Sequence, residues 1–542
     1  MSIKCNHLIY LLRKPAAILI ALLALFLQSC ASSGLNIAKQ KPKFIAPPEI
    51  FIAPHADTPM VRMLKFTTDV PVRVSVDVYV EGKNWSIDFE QYDTEHNLPL
   101  LGFLANKDHT LTVNVFNLAD EKSSFDRPLN VTTPGLPNWF PSIKASGDTA
   151  KMEPGFTLFN VIPEGENTEF GALLVVVDEL GRVVWYQRGK KFSDVRKLPN
   201  GNLFSIQGKR IVEADMLGRR VREWEAIGNS KQRVEGYAVE TLSFHHEAYP
   251  MENGHILALS IEARSYDNYW SSDNDASAPK EKALLAGDVV VEFTREGKIV
   301  NQWPLLDLLD PYRIAYGSLL PYWDSFFKEK TRDWSHANAV IYDASDDTII
   351  VSVRHQDATI KFSRKTGKLI WILGPHDNWD QEKYAKFLLK PANEVKHFFP
   401  FHEHAPMLLP NGNLLIYDNG SYRSSPFEPP MPPAQLFSRA VEYAIDVTTK
   451  QAKIVWEYGE FSEKKYYAGA LGDVDWLPKT GNVLITHGNL PDEDGKLSAR
   501  IIEVTHDNPA TTVFQLHVFD KSESKTRGWR IYRAERMQSL YQ

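Results

Sequence analysis

Histidines are concentrated in the second half of the sequence, close to a recurring turn between apolar segments. Six of them stand in or beside these turns: His245, His246, His336, His402, His404 and His487. Neutral imidazole can donate or accept a hydrogen bond and can act as a base, and Arg354 in the same region offers a bidentate fork to sulfate or phosphate. These residue types indicate a substrate that carries an oxyanion group.

The turn positions predict which of these side chains come together. His336 stands nine residues before the turn centre at Ser345, and Arg354 stands nine residues after it. Antiparallel pairing therefore places both residues at the same end of one hairpin. Asn338 follows His336 by two residues and so lies on the same face of the strand.

The same count applies to three further hairpins. His246 and His404 each stand about seven residues before an Asn-Gly turn, and Thr486 stands about six residues after its own turn. Arranged in a ring, the four hairpins bring these ends together, and convergent polar groups at a channel mouth make a binding pocket. The predicted site consists of His246, His336, Asn338, Arg354, His404 and Thr486.

A metal site is the alternative interpretation of the same histidines. His402 and His404 would share one face of a strand, whereas His245 and His246 would point to opposite faces, so only one of this second pair could line the site. No acidic residue clearly completes a three-ligand set; the nearby candidates are Glu247, Glu403 and Asp418. We therefore predict no metal and no other cofactor, and the predicted site contains no carboxylate pair of the glycosidase kind.

The hairpins that must position these residues belong to a repeat between about residues 153 and 518. Each unit joins an inner hairpin to an outer hairpin that ends in tryptophan, such as Gly181–Trp185 and Gly367–Trp371. Units of about four strands are typical of β-propeller blades, although a stack of unrelated hairpins is the alternative. Five units carry the tryptophan, and we expect a sixth between Asp475 and Val518, closed by a strand near Phe156–Phe159.

In residues 50–140, apolar residues alternate with polar ones at a short period, and few helical patterns occur. From Val72 to Val80, valine occupies every second position, which indicates a half-buried strand, and a second alternating run surrounds Val113. We therefore predict an all-β protein, with a β-sandwich domain at 50–140 and a six-bladed β-propeller with a C-terminal tail at 150–542.

The first 30 residues have the pattern of a lipoprotein signal peptide. Basic residues precede an apolar run, Ala16–Leu27, which is too short to span a bilayer comfortably and ends in Leu-Gln-Ser-Cys30. We expect cleavage before Cys30, acylation of Cys30, and a linker at 31–49. This predicts a protein lipid-anchored in the bacterial cell envelope on its periplasmic side, with Ala31 favouring the outer membrane; a plain signal peptide or an anchor helix is the alternative.

The composition excludes several other classes. The net charge is −7, without the basic excess that nucleic-acid binding needs, and no Gly-rich phosphate-binding loop is found. The only cysteines are Cys5 and Cys30, so the mature chain would have no internal disulfide and no cysteine-based metal site.

At these residues the sequence resembles the bacterial arylsulfate sulfotransferase family. The matching stretches are 244–247, 333–338, 352–356, 371–374, 401–405 and 532–536. The resemblance implies a six-bladed propeller behind a β-sandwich, often as a homodimer. It implies sulfuryl transfer from a phenolic sulfate ester to a phenolic acceptor without a nucleotide donor. Some members of the family carry a disulfide, which this mature chain could not form internally.

The resemblance also assigns roles to the predicted site. It implies that His404 is the nucleophile and that five residues bind the sulfate group: His246, His336, Asn338, Arg354 and Thr486. His245 is the alternative to His246. Tyr266, Tyr269 and Trp270 could stack on an aryl ring or could simply pack at the surface. Two other functions stay open, a non-catalytic propeller that binds an anion or scaffolds envelope proteins, and a metal-dependent hydrolase.

Overall fold

A computed structural model describes residues 41–228, 234–460, 462, 465–492, 494–524 and 527–541. Within these residues strands are the dominant regular secondary structure, and the chain divides into two compact units. The described part of the first unit is 41–54 and 60–135, and that of the second is 55–59 and 136–541. Cys30 and the predicted signal peptide lie outside the described residues. No described helix is long and apolar enough to cross a membrane.

The first unit is one antiparallel sheet. Its strands are β1 (Phe44–Ile52), β2 (Arg62–Val80), β3 (Lys83–Leu100), β4 (Asp108–Phe116), β5 (Lys122–Ser124) and β6 (Leu129–Thr132). Strand β2 pairs with β1, β3 and β4. From Val72 to Val80 every second side chain is buried, as the valine alternation predicts. The six strands form a single hydrogen-bonded sheet, and the β-sandwich remains a prediction.

The second unit is a β-propeller built from six sheets that follow one another along the chain. After β7 (Ser142–Gly147), sheet 1 contains β8 (Phe156–Glu164), β9 (Ala172–Val177) and β10 (Val183–Gly189). Sheet 2 contains β11 (Val195–Lys197), β12 (Leu203–Gln207), β13 (Arg210–Ala214), β14 (Arg220–Ala226) and β15 (Tyr237–Val239). Sheet 3 contains β16 (His245–Pro250), β17 (Ile256–Tyr269), β18 (Glu281–Phe293), β19 (Ile299–Pro304) and β20 (Thr331–Asp333).

The remaining sheets repeat the antiparallel order. Sheet 4 contains β21 (Ala337–Asp343), β22 (Thr348–Val353), β23 (Ala358–Ser363) and β24 (Leu369–Leu373). Sheet 5 contains β25 (Lys390–Pro391), β26 (His404–Leu408), β27 (Leu414–Asp418), β28 (Arg439–Asp446) and β29 (Gln451–Tyr458). Sheet 6 contains β30 (Asp473–Trp476), β31 (Val483–Pro491), β32 (Leu497–Val504) and β33 (Thr512–Phe519), and β34 (Gly528–Arg530) and β35 (Ala534–Met537) follow it.

Helices in the described residues are single turns. They are α1 (Leu305–Leu308), α2 (Asp324–Phe327), α3 (Gln381–Tyr384) and the 3₁₀ turns Gly165–Phe170, Arg354–Gln356 and Pro433–Gln435. The all-β propeller class is therefore confirmed. The exact number of blades stays a prediction, for which the six sheets are the supporting observation.

Two segments distant in sequence close the ring. Strand β7 pairs with β33 and completes sheet 6, and β34 and β35 pair with β8 in sheet 1. The expectation that Phe156–Phe159 closes the sixth unit is wrong, because these residues lie in β8 and pair with β9 and β35. The actual closing strand, Ser142–Gly147, is a short edge strand in which only Ile143 and Ala145 are apolar side chains and none is fully buried, so its hydrophobic signal in the sequence is weak.

The tryptophan that marks the outer hairpins joins each sheet to a later one. The Trp185 indole Nε1 in sheet 1 donates to Met216 O in sheet 2, at 2.9 Å. Trp224 in sheet 2 donates to Arg295 O in sheet 3, also at 2.9 Å. Trp456 in sheet 5 donates to Asp507 O in sheet 6, at 3.0 Å. Each ring fills the space between neighbouring sheets while its N–H is satisfied, which explains why tryptophan recurs at this position.

Candidate active site

The first strands of the sheets surround a common central channel. One cavity of about 370 Å³ is lined by residues of β11, β16, β21, β26, β30 and β35. The predicted histidines lie on the same strands or next to them, at the end away from this cavity. The ring arrangement therefore brings residues from distant parts of the sequence to one place.

Three of these strands are bulged where the site begins. The pairing of β16, β21 and β26 with their neighbours shifts register directly after His245, Ala337 and His404 respectively. His246 has φ 55° and His336 has φ 43°, which is left-handed backbone that non-glycine residues rarely adopt. Bulges re-aim side chains, and backbone strain of this kind clusters at functional sites.

The bulges correct two predictions that rested on strict alternation. His245 and His246 do not point to opposite faces, because their Nδ1 atoms share a hydrogen bond of 2.8 Å. His402 (φ 56°) precedes β26 instead of sharing a strand face with His404.

Of the two adjacent histidines, His246 is the one in contact with the predicted site. Its ring centroid lies 4.9 Å from that of His336. His245 Nε2 instead bonds Ser260 O at 3.1 Å and lies 3.2 Å from the Asp288 carboxylate. Burial and the nearby His336 hold the pKa of His246 well below the ordinary histidine value.

Two histidines outside the predicted site extend the cluster. The His355 ring centroid lies 4.5 Å from that of His336 and 5.8 Å from that of His402. His355 Nδ1–H donates to Asp333 O at 2.7 Å, and its Nε2 accepts from the Arg354 guanidinium. Burial lowers the pKa of both His355 and His402. The sequence contains the signals His355-Gln356 and His402-x-His404, but it does not show that they converge.

The register of β21 and β22 agrees with the predicted position of His336 and Arg354 at the same end of one hairpin. Ala337 pairs with Val353, so His336 and Arg354 flank the same end of the β21–β22 hairpin. His336 Nδ1–H donates to the Asp333 carboxylate at 2.5 Å. The second guanidinium nitrogen of Arg354 donates to Gly469 O at 3.2 Å, and burial lowers the Arg354 pKa.

His404 has an amide partner where His336 has a carboxylate. Its Nδ1 lies 2.6 Å from Asn419 Oδ1 and 3.2 Å from His402 O, both of which are acceptors. Nδ1 therefore carries the proton, and Nε2 has no hydrogen bond within the described residues. Burial, and then the positive charge of Arg354, hold the pKa of His404 well below its ordinary value.

Several buried polar atoms of the site have no partner among the described residues. They are Asn338 Oδ1, Thr486 Oγ1 and His402 Nε2. Asn338 Nδ2 donates to Glu403 O at 2.8 Å, and Thr486 pairs with Asp473 across β30 and β31. Because unpaired buried polar atoms are costly, those of Asn338 and His402, which lie in the histidine cluster, point to a ligand.

Tyr532, which the prediction did not include, ties several site residues together. Its hydroxyl donates to Asn338 O at 2.9 Å. Its ring centroid lies 6.2 Å from that of His404 and 6.0 Å from that of His246. The family-like stretch 532–536 is the sequence signal at Tyr532, but its contact with the site depends on the pairing of β35 with β8, which no local pattern shows.

The acidic residues weighed as metal ligands have other partners. Glu247 bonds Arg196 and Arg533, both at 2.6 Å, and Asp418 bonds Arg439 at 2.8 Å. Burial raises the pKa of Glu403 well above the ordinary value, which favours its neutral form.

A different set could hold a cation: ligand atoms of Asp333, His336 and His355 lie within 4.8 Å of one another. Both ring nitrogens of His355, however, already have protein partners.

Of the aromatic residues that could either stack on an aryl ring or pack at the surface, two have packing partners within the protein. Tyr269 is fully buried, and the Trp270 indole donates to Tyr312 O and packs against Phe427. Two other rings touch the cluster from its exposed side. The Tyr322 centroid lies 5.0 Å from that of His336, and the Tyr422 centroid lies 5.4 Å from that of His402.

Comparisons with known proteins identify the family. The model of the arylsulfotransferase (ASST) family matches residues 143–530. Arylsulfate sulfotransferase AssT of Lelliottia amnigena is 24% identical over 543 residues, which cover 82% of this chain and 85% of that protein. Arylsulfate sulfotransferase AssT of Escherichia coli O6:H1 (strain CFT073) is 27% identical over 346 residues, and the match covers 54% of each chain.

Solved propellers are only distantly similar. The β-propeller domain of Cps50 (Swd1) from Myceliophteria thermophila superposes with a TM-score of 0.31 at 11% identity, covering 73% of this chain and 98% of that one. The family match, in contrast, spans well over half of the chain and includes every residue of the predicted site except Cys30. This chain therefore belongs to the arylsulfotransferase (ASST) family and is an enzyme of the transferase class.

Proposed function

We propose that the protein transfers a sulfuryl group from a phenolic sulfate ester to a phenolic acceptor through a sulfohistidine at His404, without a nucleotide donor. The observation that carries this proposal is the state of His404, which is 3% exposed, neutral, and open at Nε2. A sulfate monoester bears a negative charge that repels anionic nucleophiles, and a neutral imidazole avoids that repulsion.

In the first half-reaction, His404 Nε2 forms a bond to sulfur while the bond from sulfur to the phenolic oxygen breaks. The phenolate leaves with the electron pair of the broken bond. Arg354, the second amide hydrogen of Asn338 and the Thr486 hydroxyl supply donors to the sulfuryl oxygens.

In the second half-reaction, the acceptor phenol loses its proton to a neighbouring imidazole, and its oxygen attacks the sulfur. His336 is suited to take this proton, since Asp333 orients its ring and its Nε2 has no hydrogen bond within the described residues. The bond from sulfur to His404 Nε2 then breaks, and the free imidazole is restored. Because the donor product leaves before the acceptor reacts, the kinetics should be ping-pong.

A donor–acceptor screen on the full chain tests the proposal. We expect p-nitrophenol release from p-nitrophenyl sulfate to depend on added phenol, and incubation with donor alone to leave a sulfuryl adduct on the His404 peptide. Intersecting initial-rate plots without a trapped adduct would instead indicate direct transfer. Full activity in the presence of a chelator is expected, and loss of activity would favour the metal-dependent alternative at Asp333, His336 and His355.

We also propose that the enzyme works at the periplasmic side of the cell envelope, anchored through acylated Cys30, and forms a homodimer. The signal pattern of the sequence supports the anchor, and family resemblance supports the dimer. Metabolic lipid labelling of the parent and of Cys30→Ala tests the first point, since labelling should disappear in the variant. Light scattering tests the second.

A further inference from the structure

Asn419 provides the nearer of the two acceptors at Nδ1 of His404, the other being His402 O at 3.2 Å. It follows β27 directly and is fully buried. Its Oδ1 lies 2.6 Å from His404 Nδ1. We infer that Asn419 is a positioning residue, which keeps His404 in the tautomer that leaves Nε2 free for attack. This inference rests on the proposed role of His404 as nucleophile.

The orientation of the Asn419 amide is determined by two backbone carbonyls. Its Nδ2 donates to Ala468 O and Leu471 O, both at 2.7 Å. A rotation of the amide by 180° would place Oδ1 against these two acceptors. The Asn419 backbone is also held, because the Ser438 hydroxyl donates to its carbonyl at 2.7 Å. Both hydrogens of the amide are therefore used, and Oδ1 can only accept from His404.

An amide at this position acts differently from a carboxylate. In the same cluster, His336 bonds Asp333 and His402 bonds Asp357 at 2.8 Å. A carboxylate favours the imidazolium form, which has no lone pair for nucleophilic attack. Among these three imidazoles, only His404 has a neutral partner at Nδ1.

The charged and titratable neighbours of His404 also favour its neutral form. Besides burial, the positive charge of Arg354, which approaches from the β21–β22 hairpin, lowers the pKa of His404, and His336 on the same hairpin adds to this effect only when it carries a proton. When Nε2 bonds sulfur, the ring becomes positive and Nδ1–H becomes a stronger donor. The Asn419 carbonyl accepts this hydrogen throughout, so the ring does not have to turn between the two half-reactions.

Two substitutions of Asn419 test the inference. Asn419→Leu has a similar volume and removes the acceptor, and we expect kcat to fall about 10²-fold with little change in KM, since the nucleophile is misoriented. Asn419→Asp adds a charge beside Nδ1, and we expect the acid limb of the pH profile of kcat/KM to move upward by at least about one pH unit.

A matched control separates positioning from folding. Asn482 is also a buried asparagine, 5% exposed, which bonds Lys151 O and Glu503 at the far turn of sheet 6. Asn482→Leu should lower the melting temperature but leave the pH profile unchanged. The same melting loss in Asn419→Leu, without a change of kcat or of the pH profile, would overturn the inference.

Nitrogen NMR of the full chain with ¹⁵N-labelled histidine gives a readout that needs no turnover. The His404 signals are assigned by their loss in His404→Asn. We expect Nε2 to be unprotonated in the parent and a mixture of tautomers in Asn419→Leu. An unchanged tautomer in Asn419→Leu would contradict the inference, even if the protein transfers sulfuryl groups. Absence of transfer together with the expected NMR change would count against the proposed function alone.

Discussion

His246 and Glu247 are neighbours in β16, yet they belong to regions with opposite chemistry. His246 lies at the histidine end of the inner strands, where its own backbone and that of His336 adopt strained left-handed conformations. Glu247 faces the cavity at the other end, where its carboxylate bonds two arginines and accepts from Val340 N at 2.8 Å. One end of each strand is open to a ligand, and the other is closed by ion pairs.

Residues only a few positions apart on the same inner strands therefore serve different purposes, catalysis at the histidine end and stability at the cavity end. Backbone strain costs free energy in the folded state, so it persists only where the rest of the structure compensates. Asp194 and Arg533 add a further ion pair at 3.5 Å to the cavity end. We therefore expect substitutions at the histidine end to change catalysis and substitutions at the cavity end to change stability.

The largest effect is expected for His404→Asn. Asparagine has no nucleophilic nitrogen, so we expect kcat to fall roughly 10⁴-fold or more, with the melting temperature nearly unchanged. Phenol release and thermal unfolding measure the two quantities. His255→Asn, at a hairpin turn outside the cluster, is the matched control and should keep its activity. Substantial turnover in His404→Asn would remove His404 as the nucleophile.

Arg354→Lys should have the next largest effect. Lysine keeps the charge but cannot reproduce the planar fork, and we expect kcat/KM to fall about 10²- to 10³-fold. Steady-state kinetics with p-nitrophenyl sulfate measure the change. Turnover close to that of the parent would show that a point charge is sufficient and would argue against bidentate binding by Arg354.

At the cavity end, Glu247→Gln should act on stability. It leaves Arg196 and Arg533 with too little negative charge in a buried place, and we expect the free energy of unfolding to fall by about 3 kcal/mol. Denaturant unfolding measures it. Asp307→Asn, which removes an exposed ion pair with Arg264, is the control and should cost less than about 1 kcal/mol. Equal losses of unfolding free energy in the two variants would contradict the stabilising role proposed for the cavity end.

The remaining effect concerns pH. Burial, and then repulsion from Glu535, raise the pKa of Asp475 to about 7 from its usual 3.8. The folded state therefore keeps a proton that the unfolded state has lost, and stability falls as pH rises between these two values. Asp475→Asn should be more stable than the parent at pH 8 but not below pH 4. Unfolding at both pH values tests this, and an equal difference at the two would contradict it.

The sequence was sufficient for those features that depend on short segments. Turns and alternating apolar residues act locally, so they predicted the strands, the hairpins and the position of His336 and Arg354 at the same end of one hairpin. Recurring tryptophans indicated the repeat, because each one fills the same space between neighbouring sheets. The all-β propeller class could be predicted for this reason, whereas the family was indicated by the short stretches that resemble it.

Only the tertiary structure decided how the site is completed. The bulges in β16, β21 and β26 redirect the side chains beside them, His246 among them, and they depend on pairing with neighbouring strands. Asn419 and Tyr532 come from segments far apart in sequence, and ring closure brings them to His404. A contact of this kind leaves no periodic pattern in a single sequence, because its two partners are joined by the closing strands and not by a turn.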